Sequence, residues 1–253
     1  LAAGFTVGQV ANAALIAGDI NIVGYRADAD DAIAFVTWVD IANGTSVYFT
    51  DSGVFSDGTL RDSEDTMSWT SVGTTPAGTV VVISSNNDDA DGILDGSDSG
   101  TVAGRLNGFS GSGDQVFVGD TAFPDTGDTT APGSTIAGTL LYGFDFNGAA
   151  GWDADTTGTN ASALPSALNA SLLNMSVAHV DNGQYTGPRT GLTIDQFKDA
   201  VANVANWSFD DDGAAFGALN STDFAPIPEP SSLAMLAFGM LSLYLFGGKR
   251  RRS

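Results

Sequence analysis

The chain has 253 residues, which suits one all-β domain or two small ones, and it carries 30 acidic against nine basic residues with no cysteine. The missing thiols exclude disulfide staples, thiolate zinc sites and a cysteine nucleophile. Between Ala14 and Ile227 only Arg26, Arg61, Arg105, Arg189 and Lys198 oppose 29 acidic residues, a charge of about −24 that repels nucleic acid and anionic membrane and favours divalent cations or cationic partners.

In chain order, residues 1–13 read as the end of a secretory signal, with Ala11-Asn12-Ala13 as its cleavage site. Residues 20–25 alternate in the manner of a first strand, and 27–31 form an acidic turn. The run 33–39 is almost continuously apolar, the pattern of a central strand. Asn43-Gly44 predicts a tight turn, with 46–50 as the returning strand. A polar loop, 51–65, leads to a short strand at 67–69, and Pro76-Ala77-Gly78 turns into the β-branched strand 79–84. Residues 115–118 and 140–146 supply further strands, and 177–180 another.

Thr193 and Gln196 have the spacing of a capping box. Ile194, Phe197, Val201 and Val204 then recur on one helical face, so a helix is predicted over about 193–206. Trp207 and Phe209 close a packed segment, and 210–227 reads as a spacer. Seven or more short strands with glycine turns and one short helix predict a mainly β fold, a β-sandwich over 14–209.

The C-terminal stretch has a different character. Pro228 and Pro230 bracket Glu229, and residues 231–248 carry no charge. Eighteen helical residues rise about 27 Å against a hydrocarbon core of about 30 Å, so a short transmembrane helix is predicted there. Lys249, Arg250, Arg251 and Arg252 follow and would remain cytoplasmic.

These three parts, in this order, resemble the PEP-CTERM sorting signal of bacterial exported proteins. The resemblance implies recognition and cleavage by an exosortase, a membrane cysteine protease-transpeptidase. It also implies export, transient anchoring in the inner membrane, and release to the cell surface or beyond. A second resemblance rests on residues 18–25, 31–41 and 44–53, which are similar to the opening strands of lamin-tail-like, immunoglobulin-like domains of bacterial surface proteins. It implies a fold and leaves the role open.

The strongest metal pattern is Asn87, Asp89, Asp91, Asp95 and Asp98, at positions 1, 3, 5, 9 and 12 of a calcium loop with Gly92 at position 6. Asn87 stands where an Asp is usual and Asp98 where a bidentate Glu is usual, so the stretch reads either as a calcium turn or as a solvated acidic loop. Asp28, Asp30 and Asp31, and likewise Asp62, Glu64 and Asp65, could form further carboxylate clusters, but read first as solvated turns. His179 is the only histidine, so it is the only imidazole base a triad could use, and no Gly-x-Ser-x-Gly elbow occurs. Glu64 and Glu229 are the only glutamates. Trp152, in Gly151-Trp152-Asp153, could serve as a sugar-stacking platform or as packing. Taken together the residues predict a non-enzymatic exported cell-surface or matrix protein, with exosortase, the export machinery and the inner membrane as partners. The alternative is a calcium-dependent module that binds extracellular polysaccharide; an extracellular hydrolase is more distant. Calcium is the one cofactor the residues suggest.

Overall fold

Alternating apolar side chains on short β-branched and aromatic runs build two sheets that bury their facing sides against each other. In the computed structural model the described residues are 14–28, 31–84, 96–106, 108–147, 151–211 and 217–228. The strands are β1 (Ile20–Arg26), β2 (Ala32–Thr37), β3 (Ser46–Thr50), β4 (Thr66–Thr70), β5 (Val80–Ser84), β6 (Gly96–Ser97), β7 (Thr101–Gly104), β8 (Gln115–Gly119), β9 (Leu140–Asp145), β10 (Asn174–Ser176), β11 (Asn182–Tyr185) and β12 (Trp207–Asp210). One helix, α1 (Ile194–Ala202), lies between β11 and β12. The first sheet runs β12-β11-β1-β2-β5-β6 and the second β10-β9-β8-β3-β4-β7. Neighbouring strands are antiparallel except β9 and β10, which are parallel. The expected mainly β sandwich with one short helix is what the chain forms.

Aromatic rings lock the sheets together. Tyr25 of β1 stacks on Phe146 with centroids 4.5 Å apart and tilts against Phe144 of β9 at 5.1 Å. Phe35 of β2 meets Phe49 of β3 and Trp69 of β4, each at 5.3 Å. At its centre, in β8 and β9, the second sheet is buried on both faces. In β8, Val116 and Val118 join the core between the sheets, whereas Phe117 joins Val54, Leu60, Phe123, Leu140 and Leu168 in a second cluster. Both faces being covered explains why β8 is apolar without alternation.

The helix forms as its sequence dictates. Thr193 Oγ1 accepts from the Gln196 amide and Gln196 Oε1 accepts from the Thr193 amide, so two orphan donors of the first turn are satisfied reciprocally. Phe197 and Val201 point into the core. A separate 3₁₀ turn, Val204–Asn206, follows.

Residues 219–227, within the stretch read as a spacer, run against the domain as a strap. The Phe224 amide donates to the Gly78 carbonyl at 2.8 Å, that of Ala225 to Arg189 at 2.7 Å and that of Ile227 to Leu192 at 2.9 Å. Gly78 has φ +91°, and a Cβ there would run into the Phe224 carbonyl, so only glycine lets the strap approach. The Phe224 ring wedges between Trp38 and Phe197, both at 5.1 Å, and Tyr185 at 5.5 Å, with the Arg189 guanidinium 4.7 Å above it.

The strand expected at 177–180 does not form. The chain is crossing from β10 in the second sheet to β11 in the first, and the ladders lie on either side of the crossing. Its polar groups are met singly: the Val177 amide donates to the Asp145 carbonyl, and the Val180 carbonyl accepts the Tyr25 hydroxyl at 2.8 Å.

Because Phe224 is buried among three other rings, Phe224→Ala is expected to destabilise the domain by about 3–5 kcal/mol in chemical denaturation. A loss below about 1 kcal/mol would mean that the strap does not belong to the folded unit.

Candidate functional site

Four neighbouring strands of the second sheet reach the same end of the sandwich with an acidic residue. The pairings Gln115 with Asp145, Thr50 with Phe117, and Thr50 with Thr66 align them. Asp145 therefore ends β9, Asp114 precedes β8, Asp51 follows β3, and Glu64 and Asp65 lead into β4. Asp51, Asp114, Gln115 and Asp145 are buried, and Glu64 is partly so.

Their hydrogen bonds differ. Asp114 accepts from the Ser110 amide at 3.0 Å, the Gln115 amide at 2.9 Å and Gln115 Nε2 at 3.0 Å. Asp145 accepts from Ser176 Oγ at 2.6 Å and the Asn147 amide at 3.2 Å. Gln115 Nε2 also donates to the Thr159 carbonyl at 2.9 Å and to the Asp51 carbonyl. Asp51 Oδ1, Glu64 Oε2 and Gln115 Oε1 have no partner; they are three of the six buried side-chain N or O atoms so placed among the described residues. No ion pair among the described residues engages Asp51, Glu64 or Asp114.

Loss of water and like charge disfavour ionisation here. Burial, then the neighbouring Asp114 and Glu64, push the Asp51 carboxyl well above its ordinary range. Burial does the same to Asp114, against the opposing bond from Ser110. Glu64 is pushed up to about 7 by burial, against the pull of Arg61, and Asp145 to about 6 by burial, against the bond from Ser176.

The residues singled out from the sequence are dispersed. Asn87, Asp89, Asp91 and Asp95 lie outside the described residues. Asp98 is engaged with β5: its Oδ1 accepts from the Val82 amide at 3.0 Å and its own amide donates to the Val82 carbonyl at 3.1 Å. Asp62, Glu64 and Asp65, expected to be a solvated turn, point three ways. Asp62 is fully buried and its carboxylate accepts from Thr126, Ser134 and Asp128, pinning the 126–134 loop. Asp65 pairs with Arg105 at 3.0 Å. Asp31 is buried and accepts the Phe109 amide, and Asp28 accepts from Asn182 Nδ2 at 2.8 Å; Asp30 lies outside the described residues. These are structural bonds that hold distant segments together.

Trp152 is half-buried, with its ring stacked on Phe117 at 5.4 Å and its indole N–H on Asn174 Oδ1 at 3.2 Å. His179 Nε2 lies 3.2 Å from the Gly111 carbonyl and 3.1 Å from Asp181 Oδ1 at the surface. Among the described residues no three Asp, Glu or His side chains meet at metal-ligand spacing. Sequence reasoning missed Asp51, Asp114 and Gln115, which lie far apart in the chain and meet only through strand register.

Pro228 is exposed immediately after the strap. Glu229, Pro230, Lys249, Arg250, Arg251, Arg252 and the apolar run 231–248 lie outside the described residues; among the described ones no helix is long and apolar enough to cross a membrane. Fold and C-terminus together define a β-sandwich followed by a C-terminal address. Residues 226–252 match the PEP-CTERM protein-sorting motif, so the chain carries the signal that an exosortase recognises in export and membrane-anchored processing. No curated protein and no solved structure matches the chain.

The raised carboxyls set the direction of the pH dependence. Glu64 and Asp145 hold protons that the unfolded chain would release, since unfolded carboxyls titrate near 4. Their contribution is complete below about pH 4 and is lost as pH rises through about 6 and 7. In metal-free buffer the melting temperature is expected to fall between pH 5 and pH 8; a rise over that interval would contradict the burial of these groups.

Proposed function

We propose that this chain is an exported, non-enzymatic envelope or matrix protein whose acidic sandwich is delivered to the cell surface through its C-terminal signal. The observation that carries the reading is the match of residues 226–252 to the sorting motif, beginning where the strap ends. Ile227 is still bonded to Leu192, so the folded domain extends into the first residues of the matched motif. The absence of cysteine removes thiol chemistry from the domain, and the chain's one histidine stands against Asp181 and the Gly111 carbonyl. The charge of about −24 over 14–227 keeps such a domain in solvent and away from anionic lipid once it is released.

The decisive test is the intact mass of the mature protein from its own host. The expected mass lacks the apolar run and the Lys249–Arg252 cluster. Replacing Arg250, Arg251 and Arg252 with Ala is expected to leave unprocessed chain in the membrane fraction. A mature mass that still contains residues 233–253 would replace sorting and release with permanent anchoring.

A further inference from the structure

We propose that the acidic strand ends of the second sheet bind a divalent cation, calcium in preference, through the carboxylates of Asp51 and Glu64 and the amide oxygen of Gln115. The proposal uses none of the residues 87–98 and goes beyond the sorting role.

Three observations on different residues point to it. First, Asp51 Oδ1, Glu64 Oε2 and Gln115 Oε1 are buried oxygens with no donor in reach. Leaving such groups unmet is costly, and more so for carboxylates. Second, hydrogen bonds hold the three residues beside one another. Gln115 Nε2 is fixed by Asp114 Oδ1, by the Thr159 carbonyl and by the carbonyl of Asp51 itself, so its oxygen cannot exchange places with its nitrogen without opposing three acceptors. Glu64 is tied to the residue after Asp51: its amide and carbonyl both bond Ser52 Oγ at 3.3 Å. Third, among the described residues no ion pair engages these carboxylates. Arg61 influences Glu64, but its Nη1 is held by Ser63 Oγ at 2.5 Å, and the charges acting on Asp51 are Asp114, Glu64 and Asp65, all negative.

One cation would meet all three oxygens at once, where hydrogen bonding would need a separate donor for each. No three carboxylates meet among the described residues, so the donor set is mixed: two carboxylates and one neutral amide. Hard oxygen donors of this kind suit calcium, which tolerates irregular coordination completed by water. Magnesium demands near-octahedral geometry and gives up water reluctantly. Asp114, already satisfied by three N–H groups, positions Gln115 and takes no direct part. Of the three, Glu64 is the one only partly buried.

The test uses the full chain in detergent micelles at pH 7.5, stripped with chelator, with calcium chloride alone as the probe. Extracellular calcium modules bind at about 0.1–1 mM, so about 10 mM calcium is expected to raise the melting temperature by about 5 °C. Asp51→Asn keeps the size of the side chain but removes its carboxylate; it is expected to abolish the calcium response. Glu64→Gln, at the partly exposed position, is expected to fold and to shift the calcium midpoint at least tenfold upward, which keeps the test decisive if Asp51→Asn fails to fold. The double variant Asp89→Asn, Asp91→Asn is expected to keep the response. No calcium response in the unaltered chain would overturn the proposal. So would a response that survives Asp51→Asn, an unshifted midpoint in Glu64→Gln, or a response lost in the 89/91 variant.

Discussion

Phe224 is the ring on which the parts of this molecule converge. It packs against Trp38 after β2, Phe197 on α1 and Tyr185 on β11, beneath Arg189. Together with the stacking of Trp38 on Phe197 and the burial of Leu219, it gives the first sheet, the helix and the chain's last described segment one core. A cysteine-free domain has no covalent staple to replace such contacts, so burial must hold the strap. The sorting motif begins two residues further on, at Pro226. The docked strap therefore runs straight into the matched motif.

The opposite problem governs the end of the second sheet. Desolvating carboxylates costs free energy, and like charges placed together raise the cost. Here Asp51 and Asp114 are buried within reach of Glu64, and the amide of Gln115 binds Asp114 and the backbone of Asp51. Apolar residues of similar size would stabilise these positions more simply. The arrangement is therefore understandable as one that keeps acceptor oxygens available. Asp62 gives the contrasting case: it is just as buried, but its carboxylate is fully met by donors of the 126–134 loop and serves only to fix that loop.

The strands readable from the sequence are those whose side chains decide their position. Residues 46–50 alternate and form β3, and the apolar run at 33–39 covers β2, which is buried throughout. The capping box placed the start of α1. What escaped is held by backbone pairing. Asn182-Gly183-Gln184-Tyr185 has no apolar pattern, yet as β11 it joins β1 to β12. Asn174-Met175-Ser176 pairs in parallel with β9, and Thr101-Val102-Ala103-Gly104 is an outer strand with little burial. The C-terminal signal was legible because it is local and linear. The acidic strand ends were not, because Asp51 and Gln115 are 64 residues apart and become neighbours only through the register of β3 against β8.

The joining of domain and address is tested most directly by amide hydrogen exchange on the full chain. If the strap is integral, the amides of Phe224, Ala225 and Ile227, bonded to Gly78, Arg189 and Leu192, exchange as slowly as those of β2 in the first sheet. Exchange of those three amides at the rate of an unfolded peptide, with β2 still protected, would contradict the account.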